Sequence, residues 1–415
     1  FIYQNNYALN IMDKFPASRR ATNIEYAIRD VVVPARELEK QGKKILKLNI
    51  GDPLAYHGFP TPNHMIEAFY KGLKEQQNGY SPSYGLPELR EAISYDESQK
   101  TNGGWDCKSD DVYVCHGVTE ALQIIFAAFL QQDDKVLAPG PHYPPYMAYP
   151  QLFGGQTVEY SLDEDNGWSI DLEDLESKMD DKVRLIVVIN PNNPTGGIAD
   201  KNHLKKIIDI AGKWPHCAVI SDEIYDKINF KGNHYSTASL SDNVPVITLN
   251  GVSKVYYAPG WRIGYMAWHD PEEKLSLVRD GAERLLRSRL CASTPAQLGY
   301  LAGLQSNKDW MNDYTNRLLE QRDLCIKRVQ SIDGLKVTKP EGAFYMFIRI
   351  TDDQWKSNDK GFVLKLLKEE HLLLVHGSGF SHKYGQGHFR IVFLPSPKIL
   401  NEAFDRINRF LTVRR

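Results

Sequence analysis

Lys254 in Asn250-Gly251-Val252-Ser253-Lys254 stands eight residues before Arg262 in Pro259-Gly260-Trp261-Arg262-Ile263-Gly264. The lysine follows the apolar run Pro245–Leu249 and sits among small residues, a setting that removes water and lowers basicity. Only a neutral amine attacks a carbonyl to form an imine, and a nearby cation depresses its pKa further. An arginine on the same segment suits a cluster of anionic oxygens such as a phosphate. Together they point to a Schiff-base lysine holding a phosphorylated aldehyde, pyridoxal phosphate. The same pair also serves as two solvated cations on a loop, so other residues must decide.

Five further segments carry side chains of matching chemistry. Asn190-Pro191-Asn192-Asn193-Pro194-Thr195-Gly196-Gly197 follows the apolar run Leu185–Ile189. Its prolines and glycines fix an irregular backbone, and its amides offer donors and acceptors in set directions. In Ser221-Asp222-Glu223-Ile224-Tyr225, a carboxylate after a buried strand can keep a ring nitrogen protonated, and Tyr225 can reach a phenolic oxygen of that ring. A helix cap and a core tyrosine read equally well there. Gly117-Val118-Thr119 opens a helix after a strand, so the amides of Val118 and Thr119, with the Ser253 hydroxyl and Arg262, form an anion site. Tyr143 in Pro139–Pro144 displays a ring that can stack on a heteroaromatic cofactor or simply cover a turn. Arg390, inside the β-patterned Phe389–Phe393, either pairs with a carboxylate or faces outward on an amphipathic strand. Gly79–Gly85 is a similar Gly/Pro/Tyr loop to which chemistry alone assigns no role. No histidine pair has metal-ligand spacing, and no P-loop or dinucleotide fingerprint occurs.

Elements able to position these residues follow from the patterning. Asp111–Cys115, Lys135–Ala138, Thr157–Tyr160, Leu185–Ile189, Ala218–Ile220 and Pro245–Leu249 read as strands, with helical stretches such as Thr119–Phe126 and Leu204–Ile210 between them. This alternation predicts a mostly parallel sheet with helices on both faces, whose ligands bind beyond the carboxyl ends of the strands. Gly117, Asn190, Asp222 and Lys254 each fall just there. After about residue 295 a long helical pattern, Pro295 to Ile332, gives way to the strands Ala343–Ile348 and Phe389–Phe393 and a helix from Lys398 to Leu411. That texture suits a smaller α+β domain, which the helix predicted over Asn23–Gln41 would join. At 415 residues a two-domain chain is expected. A net charge of −2 gives no bulk attraction to nucleic acid or acidic membrane. No apolar stretch reaches membrane-span length, and Phe1–Asn6 lacks signal-peptide features. Five scattered cysteines argue against a disulfide framework or zinc cluster and fit a reducing cytoplasm.

In motif content and order the chain resembles the fold-type I pyridoxal-phosphate aminotransferases of class I. Asn193-Pro194-Thr195-Gly196, Asp222 with Tyr225, Ser253-Lys254 and Arg262 carry the resemblance. It implies a seven-stranded-type, mostly parallel sheet in a large cofactor domain (62–294), with 1–61 and 295–415 as a small domain closing over substrate. It further implies that Lys254 forms the imine and carries the proton, that Asp222 holds the pyridinium nitrogen, and that Asn193 and Tyr225 bond the phenolic oxygen. Val118, Thr119, Ser253 and Arg262 would hold the phosphate, and Tyr143 would stack on the ring. Tyr80 would reach the phosphate in the neighbouring subunit, implying a homodimer with shared active sites. Arg390 and the Gly51 backbone would take the substrate α-carboxylate. Leu249–Lys254, Val375–Phe380 and Gly387–Pro395 are similar to archaeal and bacterial alanine aminotransferases. Alanine and 2-oxoglutarate are the expected substrates, reacting by a ping-pong mechanism; an aspartate or aromatic aminotransferase and a C–S lyase are the alternatives within the fold. A ligand-sensing regulator of the same fold would need a DNA-binding module that the segment before the first helix does not offer. Gly251 replaces a hydroxyl residue frequent in the family, His376 replaces a proline, and Arg19 and Arg20 read as surface groups.

Overall fold

The computed structural model describes residues 15–22, 24, 31–56, 58–100, 104–232 and 234–412. Phe1–Asn6 and residues 25–30 of the first expected helix lie outside them; the helix there is Val32–Lys40. Arg20 is exposed on the short helix Arg19–Thr22.

Among the described residues the larger sheet has eight strands, β1 (Val112–Cys115), β2 (Lys135–Gly140), β3 (Gln156–Asp163), β4 (Ser169–Ile170), β5 (Val183–Ile189), β6 (Ala218–Asp222), β7 (Val246–Gly251) and β8 (Gly264–His269). Their order is β1-β8-β7-β6-β5-β2-β3-β4. Strands β7, β6, β5, β2 and β3 are mutually parallel. Strands β8 and β4 oppose their neighbours. The sheet is thus mostly parallel, and the two-residue β4 is an edge addition to the seven-stranded pattern. In β5, Leu185, Val187 and Ile189 enter one apolar layer with the helices α3 (Val118–Phe129) and α5 (Ser276–Arg289). Ile186 and Val188 enter the opposite layer with α4 (Lys201–Gly212). Burial on both faces is why the run is apolar throughout, each such side chain contributing about 1.5–3 kcal/mol relative to exposure.

The pattern from Pro295 to Ile332 forms two helices, α6 (Thr294–Gln305) and α7 (Asp309–Gln330). Lys308 Nζ donates to Leu304 O at 2.6 Å, and Asn307 Oδ1 accepts from Asp309 N at 2.8 Å. Side chains therefore close one helix and open the next, a break that apolar periodicity does not register. Helix α6 packs on α1 (Asn63–Lys74) and α2 (Pro87–Ser98).

A second sheet is antiparallel, with β9 (Leu335–Val337), β10 (Tyr345–Ile350), β11 (Val375–His376) and β12 (His388–Val392) in the order β9-β10-β12-β11. Helix α8 (Pro397–Thr412) buries Leu400, Phe404, Ile407 and Phe410. Leu46–Lys47 pairs in parallel with Leu372–Leu373. Val392 N donates to Leu48 O at 3.0 Å, which brings the segment ending in Asn49 and Gly51 beside Arg390 of β12. Gly196 O accepts from Glu341 N and Gly342 N, and Ala343 N donates to Ile228 O. These bonds tie the segment entering β10 to the loops that follow β5 and β6.

Candidate active site

Four adjacent parallel strands, β7, β6, β5 and β2, release Lys254, Asp222, Asn193 and Tyr143 at or beyond their carboxyl ends. Lys254 is half-buried three residues after β7; its Nζ donates to Gly51 O at 2.7 Å and lies 5.8 Å from the centre of the Phe344 ring. Asp222 ends β6 and is buried, accepting from Tyr146 Oη at 2.7 Å and Ile224 N at 3.2 Å. Tyr225 Oη lies 2.9 Å from Tyr345 Oη. Asn193 Oδ1 accepts from Arg390 Nη1 at 2.9 Å, and Asn49 O accepts from Arg390 Nη2 at 2.7 Å. Only 1% of Arg390 is exposed, and its guanidinium lies 4.5 Å from the Tyr345 ring centre and 4.7 Å from that of Phe380. The inward of the two orientations open to this arginine is therefore the one adopted.

Strand β8 brings Arg262 to the start of α3. Because β8 runs against β1 and β7, its first residue Gly264 lies between Cys115 and Gly251, at the same sheet end as Lys254. A Cβ on Gly264 would come within 2.7 Å of Val118 N, and one on Gly117 within 2.5 Å of Arg262 Nη2. Glycines thus let the arginine lie against the start of α3, where the Val118 and Thr119 amides have no carbonyl one turn back. Arg262 donates to Pro259 O at 2.9 Å and His116 O at 3.4 Å, leaving its head exposed. Ser253 is half-buried between the two strands' ends. Gly251 also gains a reason: a Cβ there would stand 2.5 Å from Gly264 Cα, so the tight β7–β8 contact excludes a hydroxyl side chain.

Tyr146 and Tyr345 belong to this cluster and were missed in the sequence. Tyr345 had a weak signal in its strand-patterned neighbours Ala343–Ile348; Tyr146 had none beyond its nearness to Tyr143. Tyr80 makes none of these contacts in the single chain and is 83% exposed on a loop tied down by Thr294 Oγ1 to Gly79 O at 2.7 Å. His376 is buried on β11, its Nδ1 2.8 Å from Ser378 Oγ. Among the described residues no group of three or more His, Cys, Asp and Glu is placed to hold a metal ion. None of the described helices is long and apolar enough to cross a membrane.

Burial pushes the Asp222 carboxyl up to about 6, against the hydrogen bonds from Tyr146 and the Ile224 amide. A carboxylate so desolvated gains from a cationic partner, and a protonated ring nitrogen is such a partner. The donor set therefore fits pyridoxal phosphate. The shift has a consequence for the cofactor-free chain. The native state holds its proton to about pH 6 and the unfolded state only to 3.8. The associated stability is full below 3.8 and is lost as pH rises through about 6. Relative to the native chain, Asp222→Asn should gain roughly 2 kcal/mol of unfolding free energy between pH 4 and pH 7. Urea titrations at the two pH values check this; a difference independent of pH would contradict it.

The family described as aminotransferase class I and II matches residues 43–407. The glutamate-pyruvate aminotransferase AlaA of Haemophilus influenzae is 38% identical over 407 residues, covering 97% of this chain and 99% of the relative. An alanine aminotransferase of Mycobacterium bovis is 37% identical over 403 residues, covering 96% and 92%. The solved structure of an alanine aminotransferase from Pyrococcus furiosus has a TM-score of 0.93 and 52% identity, covering 96% of this chain and 100% of that one.

Proposed function

The chain belongs to the class I and II aminotransferases, and from that membership we propose that it moves the amino group of L-alanine to 2-oxoglutarate, with pyridoxal phosphate held at Lys254. The observation that carries this reading is the placement of two groups about one short segment. Lys254 Nζ donates to Gly51 O and Arg390 Nη2 donates to Asn49 O, two residues away. One amino acid can therefore reach both a proton-carrying amine and a carboxylate clamp.

Bound there, pyridoxal phosphate would supply an aldehyde that takes up the amino group and a protonated ring that accepts electrons from the α-carbon. Arg390 takes the substrate α-carboxylate through its planar fork, turned toward it by Asn193 and the Asn49 carbonyl. Lys254 Nζ lifts the α-proton and would return it at the carbon that the cofactor's aldehyde supplies, on the far side of the nitrogen, acting as base and then acid. Asp222, held by Tyr146, keeps a negative charge against the ring nitrogen's proton. Asn193 and Tyr225 would direct donors at the phenolic oxygen. The Val118 and Thr119 amides, Ser253 and Arg262 would receive the phosphate, and Tyr143 would cover the ring. The 2-oxo acid runs the same sequence in reverse, so the kinetics are ping-pong.

Residues 62–294 form the cofactor domain in this reading, and 1–61 with 295–415 close over the substrate. Tyr80 completes the phosphate site of a second subunit. Its exposure supports this, as does the exposed stripe Ile66, Tyr70 and Leu73 along one face of α1. The unpaired thiols Cys107, Cys115, Cys217, Cys291 and Cys325 suit a cytoplasmic protein. Alanine as donor is supported by the relatives. Initial rates with L-alanine and 2-oxoglutarate test the assignment: parallel double-reciprocal lines are expected. Release of pyruvate and ammonia from cystathionine, without transfer to 2-oxoglutarate, would replace it with a C–S lyase.

A further inference from the structure

We propose that Tyr345 is a positioning residue of this site, its hydroxyl donating to Tyr225 Oη so that Tyr225 keeps its own proton for the cofactor's phenolic oxygen. The inference rests on the reading of Tyr225 given above. Tyr345 is buried at the start of β10, with its Oη 2.9 Å from Tyr225 Oη and the two rings edge to face, 5.6 Å apart at 83°. Two facing hydroxyls can share only one proton between them. If Tyr225 donates outward to the cofactor, Tyr345 must supply the bond between them.

The surroundings hold this pair in place. Ala343 N donates to Ile228 O at 2.9 Å, and Ala343 adopts φ 56°, a left-handed conformation that a residue with a Cβ keeps only when its neighbours impose it. That turn brings Phe344 and Tyr345 onto Tyr225, with ring centres 5.5 and 5.6 Å away. The Arg390 guanidinium lies over the Tyr345 ring, 4.5 Å from its centre. A Cβ on Gly51 would stand 2.1 Å from the Tyr345 hydroxyl, so glycine there is what lets the oxygen occupy this place. Burial raises the Tyr225 hydroxyl well above its ordinary range, which keeps it a donor at working pH.

A hydroxyl that accepts a hydrogen bond is a stronger donor in turn. The Tyr345 bond therefore strengthens Tyr225 at the phenolic oxygen and favours the deprotonated chromophore. Tyr345→Phe, which keeps the ring, should move the midpoint of the holoprotein's visible absorbance titration upward by about half a pH unit. It should also weaken pyridoxal phosphate binding severalfold, while the thermal midpoint of the cofactor-free chain changes little. In a Tyr225→Phe background the same substitution should add nothing, because the route runs through Tyr225. An unchanged titration in Tyr345→Phe, or an equal shift in both backgrounds, would overturn the assignment. A native chain that takes up no pyridoxal phosphate would overturn the functional reading itself. That failure is distinguishable because it needs no variant to appear.

Discussion

Lys254→Ala is expected to lower transamination by roughly 10⁴-fold or more, the largest effect of any single substitution in the chain. The residue has two duties in this account, as attachment point and as proton carrier. Its position beyond β7, with Nζ at Gly51 O, puts the amine beside the segment that meets the substrate carboxylate. No other amine is seen to contact that segment among the described residues. Alanine leaves a gap of three methylenes and the amine nitrogen at a half-buried position, so folding should survive. The variant should still take up pyridoxal phosphate through the phosphate and ring contacts. Adding methylamine should restore part of the rate, since a free amine can enter the gap and carry the proton. Rates measured with and without the amine check both duties; full loss of cofactor uptake would show that Lys254 acts mainly as an anchor.

Arg390→Lys should lower kcat/KM for L-alanine and for 2-oxoglutarate alike by roughly 10²–10³-fold, chiefly through KM. Lysine keeps the charge but not the fork. It cannot donate to Asn193 Oδ1 and Asn49 O, lie between the Tyr345 and Phe380 rings, and still present two parallel N–H groups to a carboxylate. The discriminating measurement is the ratio of rates with L-alanine and with an amine of the same size lacking the carboxylate. The native enzyme should prefer alanine strongly, and the variant should lose most of that preference. An unchanged ratio would remove Arg390 from substrate binding.

How legible the site was depended on how local each residue's signal is. Lys254, Asp222 and Asn193 could be placed because each ends a strand whose apolar run is continuous, and parallel strands deliver their ends to one edge. Strand β8 was not read as a strand at all. Its sequence Gly264–His269 begins with glycine and mixes aromatic and small residues, and its antiparallel course is set by tertiary pairing with β1 and β7. Without it, Arg262 was assigned to the phosphate by residue type alone; with it, the short β7–β8 connection explains why the guanidinium reaches Gly117. Gly251 read as a lost contact, yet the packing of Gly264 shows that a side chain has no space there. Tyr146 and Tyr345 act through partners 76 and 120 residues away, separations no periodicity reports. Arg390 was ambiguous for the opposite reason. Strand alternation gives it two faces, and Asn193 with the neighbouring Leu46–Gly51 segment makes the inner one polar enough to accept it.

In the proposed reaction one lysine, Lys254, carries the cofactor. Reducing the holoprotein with borohydride and mapping the modified peptide tests it most directly. The expected result is a single stable pyridoxyl group on Lys254, absent when L-alanine is supplied before the reductant. Modification of another lysine, or none at all in a protein that has taken up the cofactor, would contradict the account.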